Sequence, residues 1–236
     1  MYHLPLTLET PAANLALDEA LLDAAIAGEL PGEVLRQWEP ADFFVVLGRS
    51  SSLEEVHRDA CRADGVPVLR RPSGGAAIVA GPGCLMYAVV LDLEQRPELR
   101  SVDRAHRYVL GKHATALAPL AATIELAGTS DLTLSQPQCK FSGNSLRLKR
   151  NRLLYHGTIL YDFPLAQLTR WLAAPARRPK YRGERGHEIF VTNFPATREQ
   201  IVTALVDAWD VESPLANWPR QRTEALAAAR YASPAW

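Results

Sequence analysis

The stretch Lys140-Phe141-Ser142-Gly143-Asn144-Ser145-Leu146-Arg147-Leu148, followed three residues later by Arg152-Leu153-Leu154-Tyr155-His156-Gly157-Thr158-Ile159-Leu160-Tyr161, decides the fold class. Two such neighbouring runs predict paired strands. Working outward, further short strands are expected at 124–126 and 132–134, and earlier at 34–38, 43–47, 66–70, 76–79 and 85–91. Apolar spacing in 14–27 (Leu15, Leu22 and Ile26, flanked by Leu17 and Leu21) predicts a helix stopped by Gly28. Further helices are expected at 53–64, 102–120 (ended by the Pro119 region), 165–172 and 223–230. Another begins at the capping box of Thr197 and Gln200. The strands cluster in hairpin-like groups and do not alternate strictly with helices, which predicts an α+β class with a mainly antiparallel sheet.

A length of 236 residues suits one large domain, or one domain with a small appendage. Hydrophobic residues make up 47% and charged residues 22%, enough to fill a real core. Lys+Arg and Asp+Glu both number 26, so there is no basic excess for a nucleic-acid backbone. The three cysteines, Cys61, Cys84 and Cys139, form no CxxC pair and suggest neither a disulfide framework nor a zinc site. Without a signal-like N-terminus or a long apolar run, a cytoplasmic protein with no membrane partner is expected.

Three segments carry chemistry. In Leu69-Arg70-Arg71-Pro72-Ser73-Gly74-Gly75-Ala76-Ala77, a strand ends in two guanidinium groups and turns through small residues. Such a turn can bind an anion through backbone N–H groups and arginine, or can be plain surface loop. Lys140 sits among small and apolar residues, placed either to stabilise a developing oxyanion or to snorkel from an edge strand. Asp131 can hold a divalent ion or bond a turn amide, and His156 can be structural or functional.

Taken in order, Arg-Arg-x-Ser-Gly-Gly, Asp-Leu, Lys-x-Ser-Gly-Asn and His-Gly-Thr resemble the lipoate-protein ligase A family, within the wider group of biotin ligases, lipoate ligases and octanoyltransferases. Asn14 to Leu21, Val46-Leu47-Gly48-Arg49 and Val191-Thr192-Asn193-Phe194 fit the same family, so the likeness runs over about residues 13–194. The resemblance implies a catalytic domain like those of class II aminoacyl-tRNA synthetases and biotin synthetases over 1–196. A helical extension at 197–236 would pack on it, in a short form lacking most of an accessory C-terminal domain. It implies that lipoate and ATP form lipoyl-AMP, with Mg2+, before transfer to a lysine of a lipoyl carrier domain. That carrier would be a 2-oxoacid dehydrogenase subunit or a glycine-cleavage H-like protein, and a separate accessory subunit is a further expected partner. Lys140 would be catalytic. Arg70, Arg71, Ser73, Gly74, Gly75 and Ala76 would bind the acyl and phosphate groups, with Asp131 beside the nucleotide and its metal. Ser142, Gly143, Asn144, His156, Gly157 and Thr158 would shape the pocket.

Departures from the family pattern include Ala76 for the third glycine, Val79-Ala80-Gly81 for a Tyr-His-Asp, Cys84 for an asparagine and Ser130 before Asp131. A transferase taking octanoate from acyl carrier protein would instead need a thiol, with Cys84 and Cys139 as candidates. If Lys140 faces the site, side-chain alternation turns Cys139 away. A third reading is a non-catalytic lipoate-binding or accessory protein. The basic stretch Arg177 to His187 reads either as a solvated loop, or as a mobile flap that closes on the adenylate or meets an acidic carrier domain.

Overall fold

The computed structural model describes residues 1–121, 123–135, 137–173 and 179–231. In chain order the elements are β1 (Tyr2–Leu4), α1 (Pro11–Ala27), β2 (Val34–Trp38), β3 (Phe44–Leu47), α2 (Arg58–Ala63), β4 (Val68–Arg70), β5 (Ile78–Ala80) and β6 (Cys84–Asp92). There follow α3 (Val102–Leu117), β7 (Ile124–Ala127), β8 (Asp131–Ser135), β9 (Gln138–Lys149), β10 (Arg152–Leu160), α4 (Ala166–Trp171), α5 (His187–Phe190), α6 (Arg198–Ala208), β11 (Ser213–Pro214) and α7 (Arg220–Leu226). One large sheet has the order β11-β1-β2-β6-β10-β9-β8-β7, and a small one the order β4-β3-β5. Among the described strands, the β11–β1–β2 edge and the β3–β4 pair are parallel and the other pairings antiparallel. The class is α+β with mainly antiparallel pairing, as the strand clustering predicts.

The large sheet is covered on both faces. On one face Leu17, Leu21 and Leu22 of α1 pack with Ala88, Val90 and Leu154. On the other, Val109 and Leu110 of α3 and Ile201 and Leu205 of α6 meet Val89, Phe141, Leu153 and Tyr155. A third cluster joins Leu15, Trp38 and Met86 to Val46, Val79 and Trp171, binding the small sheet to the large one. Removing this apolar surface from water is the main stabilising term. A helix covered on most sides needs apolar or paired side chains nearly all round. In α1, Asn14 through Leu22 are all buried. Its Glu19 accepts hydrogen bonds from Arg147 (2.8 Å), Arg230 (2.5 Å) and the Tyr231 hydroxyl (2.7 Å).

Gly28 adopts φ +73° at the C-terminus of α1, and Thr197 and Gln200 form the reciprocal cap of α6. The helix expected over 53–64 is instead a 3-10 turn at Leu53–Glu55, an extended Val56, and then α2 entered through His57. Val56 bridges Leu172, and the His57 N–H donates to the Trp171 carbonyl, so tertiary pairing overrides local helix preference. The strands β1 and β11 have three and two residues, too short to show alternation. Among the described residues no helix is long and apolar enough to cross a membrane.

Candidate active site

The site grows from an irregularity in β9. Asp131 pairs with Gly143 and Leu132 with Ser142, but Thr133 pairs with Lys140, which leaves Phe141 as an extra residue. A bulge of this kind reverses the alternation beyond it. Lys140 and Gly143, three residues apart, therefore lie on one face together with Asp131. The ammonium of Lys140 is 2.7 Å from Asp131 Oδ1. A Cβ added to Gly143 would sit 2.8 Å from Lys140 Nζ, so the glycine is what lets the ammonium fold back over the strand. Cys139 turns away, its Sγ lying 3.3 Å from the Ile189 carbonyl. Cys84 begins β6 and is buried; burial raises its thiol pKa well above the ordinary range.

The two arginines of the first segment are spent on backbone. Arg70 donates to the carbonyls of Gly48 (2.7 Å) and Ser51 (2.9 Å) and does not line the cavity. Arg71 is buried and donates to the carbonyls of Gly74 (2.6 Å), Ala76 (3.0 Å) and Val46 (3.3 Å). Burial lowers its pKa to about 10, with Glu55 opposing the shift. Both guanidinium groups clamp loop carbonyls, because unpaired carbonyls in a tight turn need donors, and Arg71 also borders the cavity. Gly75 takes φ +92°, and a Cβ on Gly48 would meet its carbonyl oxygen at 1.8 Å, so the two loops touch backbone to backbone.

Behind the turn, Ser73 Oγ is 2.5 Å from His156 Nε2, and His156 Nδ1 is 3.7 Å from Asp18 Oδ2. Asp18 pairs at 2.5 Å with the buried Arg36. These groups satisfy one another, which keeps a buried polar cluster affordable. Beside them the Tyr87 hydroxyl donates to Asn144 Oδ1, whose amide donates to the Ser130 carbonyl at 2.8 Å. Gly157 leaves the space that Asn144 fills.

The far wall is the segment 179–191. Tyr181 donates its hydroxyl to Asp131 Oδ2 at 2.7 Å, so both oxygens of that carboxylate are engaged. Burial, then the neighbouring Asp131, raises the Tyr181 pKa well above its usual range. The Arg182 and Arg185 guanidinium carbons stand 4.8 and 5.3 Å from the Phe190 ring centroid, and Arg185 donates to the Gln138 carbonyl at 2.6 Å. This part of the basic stretch is packed wall and not a solvated loop, while Arg177 and Arg178 lie outside the described residues. Asp18, Met86, Tyr87 and Tyr181 were not singled out as site residues by sequence; the Asn14 to Leu21 match touched Asp18, and the basic stretch Arg177 to His187 touched Tyr181.

Two adjoining chambers open here, of about 150 and 130 Å³. Each is roughly ten times the 10–15 Å³ that a single water requires, so they are ligand-sized. Ala76, Asp131, Lys140, Gly143 and Thr158 border both. Ser142 borders the outer chamber, with Val79, Leu168, Arg182, His187 and Phe190. Arg71, Gly75, Asn144, His156 and Gly157 border the inner one, with Leu15, Val46 and Met86. Ser73 and Gly74 support the wall from behind and line neither chamber, and the same holds for both candidate thiols. Among the described residues no group of three or more His, Cys, Asp or Glu side chains is placed to hold a metal.

A family model, the lipoyl protein ligase A/B catalytic domain, matches residues 10–208. The chain belongs to that family. Among its lipoyl ligase relatives, one from Aeropyrum pernix, assigned as lipoate-protein ligase A, is 28% identical over 85% of this chain and 71% of its own length. One from Schizosaccharomyces pombe with the same assignment is 26% identical over 84% of this chain. The match spans 52% of that second relative, so the chain covers about half of some members. Solved structures agree in fold. The bi-partite lipoate protein ligase of a Thermoplasma acidophilum lipoylation system, studied with its E2 lipoyl domain, superposes with a TM-score of 0.81 at 20% identity, covering 100% of this chain and 96% of that one. A T. acidophilum ligase with bound lipoic acid gives 0.77 at 20% identity, covering 100% and 98%. A lipoate-protein ligase A bound with ATP gives 0.76 at 20% identity, covering 100% and 97%. At this identity the structures establish the shared fold.

Proposed function

We propose that this chain is an ATP-dependent lipoate-protein ligase that forms lipoyl-AMP and passes the acyl group to a lysine of a lipoyl carrier domain. The observation that carries this reading is the Lys140 ammonium at the junction of two ligand-sized chambers. In the first step a lipoate carboxylate oxygen attacks the α-phosphorus of ATP and pyrophosphate leaves. In the second, the carrier amine bonds to the acyl carbon, the bond to AMP breaks, and the amine loses a proton. Negative charge gathers on the acyl and phosphate oxygens in both steps, and a fixed cation between the chambers stabilises it. Asp131 holds Lys140 in place until an anionic ligand competes for it.

The inner chamber suits the fatty tail. Away from the Lys140–Asp131 pair, its polar side chains include Asp18, His156, Arg71, Tyr87, Asn144 and Ser145, each paired with protein, and aliphatic side chains of Leu15, Val46 and Met86 fill the spaces between. The outer chamber, with Arg182 and His187 in its wall, suits the nucleotide. Magnesium keeps much of its water and takes one or two carboxylates alongside substrate phosphates. Asp131, bordering both chambers, fits that role as a single protein ligand, and the ion would there neutralise phosphate charge. The carrier is proposed to be a 2-oxoacid dehydrogenase subunit or an H-like protein, in the cytoplasm, with an accessory subunit as a further partner. Residues 1–196 are proposed as the catalytic unit with 197–236 packed on it; Ile201 and Leu205 in the common core support this.

An octanoyltransferase acting through a thioester has no thiol facing either chamber. Incubating the protein with a lipoyl domain, and with either ATP plus lipoate or octanoyl acyl carrier protein, tests the choice by mass spectrometry. The ligase reading expects a lipoylated carrier in the first mixture only, together with an AMP product. Modification only in the second, lost on Cys84→Ser, would reverse it.

A further inference from the structure

We propose that Met86 is the end-stop of an acyl ruler laid across the sheet, restricting this site to eight-carbon chains. The inference rests on the ligase reading and on assigning the inner chamber to the tail. The register supplies the ruler. Gly143 of β9, beneath the Lys140 ammonium, pairs with Thr158 of β10, Thr158 pairs with Met86 of β6, and Met86 pairs with Trp38 of β2. These four form a row running straight across neighbouring strands. Adjacent strands lie about 4.8 Å apart, so Met86 stands about 9.6 Å from Gly143. An extended eight-carbon acyl chain, with C–C bonds of about 1.5 Å at near-tetrahedral angles, measures about 9 Å from carbonyl to last carbon. A carbonyl held at Lys140 therefore brings its eighth carbon to Met86.

What stands at that point is a closed wall. Met86 is buried in the cluster that contains Leu15 of α1 and Val46 of β3, and the three converge on the inner chamber. Behind it Cys84 Sγ lies 3.8 Å from Met86 Sδ, and Trp38 is buried completely. A longer chain has to displace side chains from three elements. The thioether also makes a soft, polarizable contact for the dithiolane end of a lipoyl group. Cutting the side chain back to alanine lengthens the slot toward Trp38 by up to one strand spacing, about 4.8 Å, or three to four carbons.

The test measures, by calorimetry, binding of acyl-sulfamoyl-adenosines with straight chains of six to fourteen carbons to the whole chain. In the unaltered protein each methylene up to eight carbons should tighten Kd about fourfold, and ten carbons should bind at least tenfold more weakly than eight. Met86→Ala should move the optimum to ten or twelve carbons, and Met86→Phe should move it to six. Leu168→Ala, in the outer chamber, should weaken the series uniformly and leave the optimum at eight. Met86 variants that bind the octanoyl compound with an unshifted optimum would overturn the ruler and leave the ligase reading standing. An optimum shifted by Leu168→Ala instead would put the tail in the other chamber and overturn it as well. Failure of the unaltered protein to bind any compound in the series would remove the ligase reading itself.

Discussion

The two chambers meet at one lysine yet are built in opposite ways. The inner one is walled by α1, β3, β6 and β10, elements locked into the sheet and core. The outer one borrows a wall from the segment 179–191, held by the Tyr181–Asp131 bond and by the Arg185 contact with the Gln138 carbonyl. A slot built from sheet and core discriminates by shape, while a wall supplied by one connecting segment can shift as a unit to admit and release a ligand. The contrast assigns fixed geometry to the part of the ligand that must be measured and movable geometry to the part that must leave.

Four substitutions break or sharpen this contrast. The largest effect falls on the rigid side. Replacing Arg36 by Met strands the Asp18 carboxylate in the interior and should cost about 3–5 kcal/mol of unfolding free energy, read in a denaturant titration. At the shared junction, Lys140→Ala should lower the rate of lipoyl-AMP formation about 10²–10³-fold with folding intact, measured by pyrophosphate release. Gly143→Ala should act through the same ammonium, pushing it out by a fraction of an ångström. A loss of about tenfold in kcat with little change in lipoate KM is expected, since a misplaced donor weakens transition-state binding. The smallest effect belongs to the movable side. Tyr181→Phe removes one hydrogen bond to a carboxylate and should speed escape of bound lipoyl-AMP a few-fold, seen by filter-trapping the intermediate over time. If Tyr181→Phe destabilised the protein as much as Arg36→Met, the distinction between the two walls would be gone.

Much of this was visible in the chain alone. The paired strands of 140–161, the cap at Thr197 and the stop at Gly28 were legible because each depends on local chemistry. Lys140, Gly143 and Thr158 stood out as a motif, and the structure gathers them. What escaped was whatever depends on register. Simple alternation from Lys140 puts Ser142 and Asn144 at its side; only the extra residue Phe141 exchanges them for Gly143. The clamping role of Arg70 and Arg71 is invisible in sequence, because the carbonyls they serve, at Gly48, Ser51, Gly74 and Ala76, are brought within reach only by folding. Tyr181 meets Asp131 across fifty residues of chain, a distance no local pattern spans.

Glu19 has a consequence for biosynthesis. Its carboxylate is enclosed by α1 and the sheet, yet two of the three donors described for it, Arg230 and Tyr231, lie 211 and 212 residues further along the chain. As a ribosome extrudes this chain, α1 emerges well before these partners and cannot settle against its sheet with that charge fully compensated until they have followed. The helix that supplies Leu15 and Asp18 to the slot therefore waits on residues 230 and 231, and a nascent chain stalled before residue 230 should carry an unfinished binding wall.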